Sequence, residues 1–177
     1  SRSRGSTRPA RDEMPLPALT LRPARPADEP FLRALYATTR AAELALVPWP
    51  EAQKQSFVAM QFTAQDRHYR AHYPAARFDV VEGDGAPIGR LYVDRSAHEI
   101  RLLDITLAPA WRRAGIGGAL LAALLTEARA AGHPVRLHVE PESPARRLYE
   151  RLGFQAREEA GPYLRMEWRP AQAKTDS

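Results

Sequence analysis

A chain of 177 residues is long enough for one well-packed domain and short for two. It has no cysteine and no apolar run as long as a membrane span, which excludes disulfides and thiolate metal sites and favours a cytoplasmic protein without a membrane partner. The formal charge of +5 is carried mostly by arginines scattered among acidic residues, so no basic stripe with interleaved aromatic residues indicates nucleic-acid binding.

Both ends of the chain have compositions that predict little structure. Residues 1–17 are rich in Ser, Arg, Pro and Gly without apolar periodicity, which is typical of disorder, and Met14 is a candidate for the natural start. We therefore expect a disordered N-terminal extension over 1–17, one folded domain over 18–169 and a loose tail over 170–177.

The first half of the domain combines strands with two helices. Pro26 and the acidic residues after it suit a helix start, while Pro50 and Pro74 bound a second helical segment. The turn Gly83-Asp84-Gly85 between two β-rich runs predicts a hairpin. In chain order we predict a strand at 19–22, a helix from 26 to about 40 or beyond, a long helix between 50 and 74, and strands at 78–82 and 87–93.

The second half alternates strands and helices. We predict a central strand at 99–108, a helix ending at Gly132, a strand at 135–139, a short helix from 143 to 152, and closing strands at 154–158 and 163–168. A strand reached through such a helix lies parallel to the strand before it, by a right-handed crossover. The expected fold class is α/β, with a mixed sheet flanked by helices.

A loop rich in glycine and arginine opens the helix that follows the central strand. Its sequence is Arg112-Arg113-Ala114-Gly115-Ile116-Gly117-Gly118. Glycines let successive backbone N–H groups turn toward one ligand, and the helix N-terminus and the arginines add positive charge, so the loop predicts a pyrophosphate site. A dinucleotide fingerprint does not fit, because Leu120 stands where its third glycine should be, and the Gly-Lys-Ser/Thr ending of a Walker loop is missing.

A short amphipathic helix downstream is the second informative segment. Ser143 suits its N-cap, Pro144 its first helical position and Gly153 its C-terminus. Apolar side chains at i, i+3, i+4 and i+7 are Ala145, Leu148, Tyr149 and Leu152. Taken by itself, this spacing favours a core position for Tyr149.

The two segments together resemble one known family. Arg112-x-x-Gly115-x-Gly117 is similar to the acetyl-coenzyme A signature, Q/R-x-x-G-x-G/A, of the GCN5-related N-acetyltransferases. The run from Ser143 to Phe154 resembles the second landmark of that family, (N/S)-P-A-x-x-L-Y-x-x-x-G-F. The resemblance is strong over 100–154 and weaker over 19–168. It implies a fold in which two parallel central strands splay apart and the pantetheine arm of the cofactor enters the gap.

The resemblance also implies roles for particular residues. The main chain of Ile105, Thr106 and Leu107 would bind the pantetheine arm and supply an oxyanion donor, and the loop from Arg112 to Gly118 would hold the pyrophosphate. Tyr149 would act as the general acid that protonates the departing thiolate of CoA. Ser143 stands where the family most often has Asn, whose side chain contacts the pantetheine region, and a helix-capping role suits the shorter hydroxyl better.

Two residues are candidates for the base that deprotonates the acceptor. Strand alternation places Asp104 with Leu102 on one face of the central strand and His138 with Arg136 on one face of the neighbouring strand, so Asp104 and His138 are expected to meet across the cleft. Some relatives have a catalytic carboxylate near the position of His138, and a histidine suits proton transfer near neutral pH. The alternative is that Asp104 and His138 form a structural hydrogen bond or face solvent.

The acceptor side of the site is less well defined by the sequence. Tyr163 either contacts the acceptor or packs, and no metal site is expected, because His68 and His72 are four residues apart without a third ligand nearby. The apolar residues of the two early helices either line an acceptor pocket or belong to the core: Trp49, Phe57, Met60, Phe62, Tyr69 and Tyr73.

The function implied by the resemblance is acetyl transfer from acetyl-CoA to an amine. Since the sequence has no cysteine to carry the acetyl group, we expect direct attack in a ternary complex, with a small-molecule amine or amino acid as acceptor. Acetylation of a protein N-terminus or lysine is the nearest rival hypothesis. A non-catalytic acyl-CoA sensor is a second, against which Tyr149 argues, and a nucleic-acid-binding module is a third, which only the net charge favours. Many relatives dimerise, so a homodimer is a candidate assembly.

Overall fold

The computed structural model describes residues 15–171. The predictions for residues 1–14 and 172–177 lie outside this range, and the domain limits stay a prediction. In chain order the elements are β1 (Leu19–Pro23), α1 (Glu29–Ala45), α2 (Glu51–His72), β2 (Arg77–Gly83), β3 (Ala86–Arg95), β4 (Ile100–Leu107), α3 (Ile116–Ala131), β5 (Val135–Val139), α4 (Ala145–Arg151), β6 (Gln155–Ala160) and β7 (Tyr163–Trp168).

The strands of the described range form one mixed sheet in the order β1-β2-β3-β4-β5-β7-β6. Strands β4 and β5 are parallel, and every other neighbouring pair is antiparallel. The predicted order of elements and the mixed α/β class are therefore confirmed. Over residues 15–171 no helix combines the length and the apolar character that a membrane crossing needs.

Two hydrophobic clusters hold helices against the sheet. The larger cluster joins α3 and α4 to one sheet face, and its members include Leu121 of α3, Tyr149 of α4 and Leu137 of β5. The smaller cluster joins α1 and α2 to Val80 of β2, through Tyr36 and Phe62. Helix α3 is bounded as predicted, because Gly132 closes it in the left-handed conformation.

Strands β4 and β5 separate halfway along their length. They pair at Ile100 with Val135, at Arg101 with Arg136 and at Leu102 with Leu137, and the pairing ends there although both strands continue. The backbone of 103–107 therefore has no β5 partner. The splay expected of this fold is confirmed at this point.

A β-bulge in β4 changes which residues share a sheet face. Tyr92 of β3 pairs with Asp104 while Val93 pairs with Leu102, so Leu103 is the extra residue. Leu102 packs into the larger cluster, whereas Asp104 points to the opposite face. The prediction that Leu102 and Asp104 share a face is wrong, because simple alternation does not anticipate the inserted residue.

The start of α4 differs slightly from the prediction. The helix begins at Ala145, and Pro144 already has helical dihedral angles, φ −58° and ψ −27°, at the N-cap position. The Ser143 hydroxyl accepts a hydrogen bond from the N–H of Ala145 at 3.3 Å. Ser143 thus keeps the contact expected of a helix cap, one residue before the assigned N-cap.

Candidate active site

A cleft of about 490 Å³ opens where β4 and β5 part. It brings together Asp104 from β4, His138 from β5, Ser143 from the following loop and Tyr149 from α4. A larger groove of about 1000 Å³ lies between α1 and α2, but none of the predicted site residues lines it. The smaller cleft is the better candidate, because polar side chains from four segments converge on it.

The glycines at the start of α3 are not needed for packing. A Cβ atom added at Gly117 would lie 3.7 Å from the Leu148 side chain, and one added at Gly118 would lie 4.0 Å from it, both ordinary van der Waals distances. Alanine at a helical position is more stable than glycine by roughly 0.5–1 kcal/mol. Two glycines with room for a methyl group therefore fit a cradle in which a ligand approaches the backbone closely.

The loop before α3 has the backbone shape of an anion site. Arg113 (φ 59°) and Gly115 (φ 83°) both take the left-handed conformation, and no side chain caps the N-terminus of α3. The first N–H groups of a helix have no intrahelical acceptor, so here they face outward without a side-chain cap. The residues of this loop fit the pyrophosphate of a CoA molecule.

Arg112 already has partners in the described structure. Its Nε donates to the carbonyl of Leu107 at 2.9 Å, and its guanidinium donates to the Thr38 hydroxyl at 2.9 Å. Arg112 therefore ties the loop to β4 and α1. Because the Leu107 carbonyl already accepts this hydrogen bond, Ile105 and Thr106 are the predicted pantetheine contacts whose backbone groups are more available.

Tyr149 is buried at the point where the strands part. No described residue hydrogen-bonds to its hydroxyl. Every fully buried side-chain oxygen within residues 15–171 has a hydrogen-bond partner, so the Tyr149 hydroxyl is not fully buried and opens into the cleft. Burial raises the pKa of Tyr149 to about 12, and the negative charge of Asp104 adds to the shift. The phenol stays protonated at neutral pH and has a proton to donate.

Asp104 is held by an ion pair rather than by His138. Arg90 donates from Nε at 3.0 Å and from its terminal nitrogen at 2.9 Å to the two carboxylate oxygens, and the Thr106 hydroxyl donates at 2.7 Å. Arg90 is only 2% exposed and also donates to Gln65. Both Asp104 and His138 line the cleft, and within the described range no hydrogen bond joins them, so the alternative of a structural hydrogen bond between the two is wrong.

His138 is exposed and stacks on Tyr163. The ring centroids are 6.4 Å apart, and the rings are inclined by 17°. Partial desolvation lowers the pKa of His138 below its ordinary value, and the positive charges of Arg101 and Arg165 lower it further. The imidazole is therefore neutral near pH 7, with a nitrogen able to accept a proton.

The sequence model of the acetyltransferase (GNAT) family matches residues 38–154, which include the splayed strands, the glycine loop and Tyr149. The chain belongs to the GNAT family. No curated protein matches the sequence significantly.

Solved GNAT structures share the fold at low sequence identity. The PaiA N-acetyltransferase from Thermoplasma acidophilum, in complex with coenzyme A, has a TM-score of 0.65 and 19% identity over 86% of this chain and 99% of its own. An acetyltransferase from Thermus thermophilus has a TM-score of 0.61 and 20% identity over 88% and 99% of the two chains. A GCN5-related N-acetyltransferase from Rhodopseudomonas palustris has a TM-score of 0.62 and 16% identity over 89% and 99%.

Two residues of this GNAT site could not be assigned to it from the sequence. Arg90 lies in the predicted hairpin strand, and an arginine in a β-rich run is the only signal that it is buried beside a carboxylate. Tyr69 lines the cleft, and its hydroxyl donates to the carbonyl of Leu103 at 3.1 Å. The remaining aromatic and methionine candidates of the two early helices do not line the cleft: Trp49, Phe57, Met60, Phe62 and Tyr73.

The histidine pair on α2 of this GNAT protein shows no metal-binding arrangement. His68 and His72 stack on one another, with centroids 4.1 Å apart. Within the described part of the chain, no group of three or more His, Asp or Glu side chains is placed to hold a metal ion. The pair offers two ligands at most.

Proposed function

We propose that this GNAT protein transfers the acetyl group of acetyl-CoA to a primary amine by direct attack in a ternary complex, with a small-molecule amine or an amino acid as acceptor. The observation that supports this most strongly is the Tyr149 hydroxyl, which opens into the cleft where β4 and β5 part and has no hydrogen-bond partner among the described residues. Acetyl-CoA supplies the activated thioester when bound. The residues of the chain position it, stabilise the oxyanion and move two protons.

The cofactor site combines two features of the described backbone. The loop from Arg112 to Gly118 would bind the pyrophosphate through the free N–H groups at the start of α3. The unpaired edge of β4 at Ile105 and Thr106 would bind the amides of the pantetheine arm, and one N–H there would face the thioester oxygen. Ser143 would act chiefly on α4, since its hydroxyl already accepts from Ala145.

Tyr149 would protonate the sulfur as the carbon–sulfur bond breaks. A phenol with a pKa of about 12 gives its proton to a free thiolate of pKa about 8.5 at an uphill cost of about 5 kcal/mol. Burial of the thiolate in the same cleft raises the pKa of the sulfur and narrows this gap. Proton transfer concerted with bond cleavage is therefore the route that the geometry favours.

His138 is the better of the two candidate bases. Both carboxylate oxygens of Asp104 are engaged by Arg90, whereas His138 is neutral and exposed at the edge of the cleft. His138, directly or through a water, would take a proton from the acceptor nitrogen as the new carbon–nitrogen bond forms. Asp104 would act instead through its charge, which helps keep Tyr149 protonated.

The need for a base depends on the acceptor. A lysine-like amine with a pKa of about 10.4 is less than about 0.1% free at pH 7, whereas the terminal α-amine of a peptide, with a pKa of about 7.7, is about one-sixth free. An acceptor amine of low pKa would need only weak base assistance. The more basic amine of a free amino acid or of a lysine side chain would depend on His138.

The test is a CoA-release assay with acetyl-CoA and a panel of amino acids, diamines, aminoglycosides and short peptides, with mass spectrometry of the product. We expect one class of amine to gain one acetyl group for each CoA released. Acetylation of peptides alone would indicate that the acceptor is a protein. Tight acetyl-CoA binding without turnover on any amine would instead support the acyl-CoA sensor.

A further inference from the structure

A groove rich in arginine adjoins the catalytic cleft. It has a volume of about 620 Å³ and is lined by residues of β4, β5, β6 and β7 and of the chain directly after β7, with no helix residue in its walls. The sequence spreads these arginines over almost seventy positions, and strand alternation brings them to one face of the sheet. We call this the arginine groove; its cations are Arg101, Arg136, Arg157, Arg165 and Arg169.

The carboxylates on this face are too few for the arginines. Among the described residues, Glu167 contacts three of the five guanidinium groups, Glu99 contacts two and Glu158 contacts one. Arg136 is shared between Glu99 and Glu167. Five positive charges against three negative charges leave the face with a surplus of two.

His138 connects the arginine groove with the cleft, because it lines both. Arg165 lies directly opposite His138 on β7, and the Cβ atoms of such cross-strand pairs are roughly 4.5–5.5 Å apart. Arg101 approaches from β4, and its positive charge, like that of Arg165, acts on the imidazole. An amine that gives its proton to His138 therefore lies within side-chain reach of two guanidinium groups.

The charge order along β5 fits an acceptor with opposite charges at its two ends. Arg136 and His138 lie on one face of β5, and the exposed Glu140, which directly follows the strand, lines the cleft. A guanidinium group binds a carboxylate through two parallel hydrogen bonds, which fixes orientation as well as position. A carboxylate on the acceptor would thus be held over the arginine groove while its amine points into the cleft.

We propose that the acceptor is an α-amino acid with an acidic side chain, whose two carboxylates are bound by Arg165 and Arg101. The proposal rests on the acetyltransferase function proposed above and specifies its acceptor class. Two carboxylates match the surplus of two positive charges on this face.

The kinetic test compares acidic amino acids with their neutral isosteres. Wild type, Arg165→Gln and Arg101→Gln are assayed with glutamate, aspartate, glutamine, asparagine and a diamine. Loss of one charge-assisted pair is expected to raise the KM for the acidic amino acid roughly tenfold to a hundredfold. The KM for acetyl-CoA and the thermal midpoint should stay unchanged. Arg95→Gln, which removes a surface arginine paired with Glu127 elsewhere, is the matched control.

A binding measurement separates this proposal from the proposed function. Calorimetry of glutamate with the full chain saturated with CoA should show binding that Arg165→Gln weakens and Arg95→Gln does not. Turnover of diamines or neutral amines, with no binding of acidic amino acids, would overturn the proposal of an acidic amino-acid acceptor. The proposed acetyltransferase function would then still hold. Glutamate binding that depends on Arg165, without acetylation of any amine, would support a carboxylate site in the arginine groove and refute the proposed acetyltransferase function. Preferential binding of an oligonucleotide that salt weakens steeply would overturn the amino-acid site.

Discussion

Gly117 and Gly118 occupy helix positions where the protein itself has room for a methyl group. The Tyr149 side chain is buried, but its hydroxyl opens into the cleft without a partner from the described chain. The two glycines lower the stability of the helix, because alanine has the higher helix propensity. At the residue scale, the proposed acyl-CoA site therefore rests on glycines that packing does not require and on a hydroxyl that no described residue binds.

Substitution of Gly117 should separate ligand binding from folding. We expect Gly117→Val to weaken acetyl-CoA binding at least about tenfold, because its side chain would fill the cradle that the ligand needs. The thermal midpoint should match that of Ala122→Val, an exposed valine substitution on the same helix. Calorimetry and thermal melts measure the two effects, and unchanged acetyl-CoA affinity in Gly117→Val would remove the loop from the site.

The pH dependence of turnover should report His138. Desolvation and the nearby Arg101 and Arg165 lower the pKa of this imidazole, so the base is unprotonated at and above neutral pH and is lost as the pH falls. We expect the acid limb of kcat/KM to have an apparent pKa below about 6.5. His138→Gln should remove that limb and lower the rate at neutral pH. A limb that persists in His138→Gln would assign it to another group.

At the element scale, the bulge at Leu103 decides the geometry of the site. It turns Asp104 toward Arg90 and α2, and it lies directly beyond the last residue pair of β4 and β5. The Leu103 carbonyl accepts a hydrogen bond from Tyr69 of α2, which ties the bulge to the helix layer. The inserted residue thereby explains the failure of simple alternation, and it stands where the cleft begins.

Removal of the Tyr69 hydroxyl should loosen this bulge. We expect Tyr69→Phe to lower the free energy of unfolding by about 1 kcal/mol, because the Leu103 carbonyl loses its partner. The kcat should fall as well, since the adjacent residues of β4 would hold the thioester. Tyr73→Phe, at the end of the same helix, is the control for denaturant melts and rates. Equal values in both variants would show that the Tyr69 hydroxyl plays no part in shaping β4.

At the scale of the whole molecule, the local patterns of the sequence were enough to predict the order of the elements, the glycine loop before α3 and the placement of Tyr149 on α4. Turn residues, helix caps and apolar spacing depend on neighbours in the chain, so they can be interpreted from one segment at a time. The partner of Asp104 could not be predicted, because Arg90 reaches it only across a bulged strand pair. The arginine groove likewise depends on the sheet order β5-β7-β6, which joins segments distant in the chain.

The central claim is that Tyr149 donates a proton during acetyl transfer in the cleft between β4 and β5. The most direct measurement is kcat for Tyr149→Phe beside the dissociation constant for acetyl-CoA, with Tyr73→Phe as control. General acids contribute about 10²- to 10⁴-fold, so we predict a fall in kcat of that size with acetyl-CoA affinity unchanged. A Tyr149→Phe protein with the kcat of wild type would contradict the account.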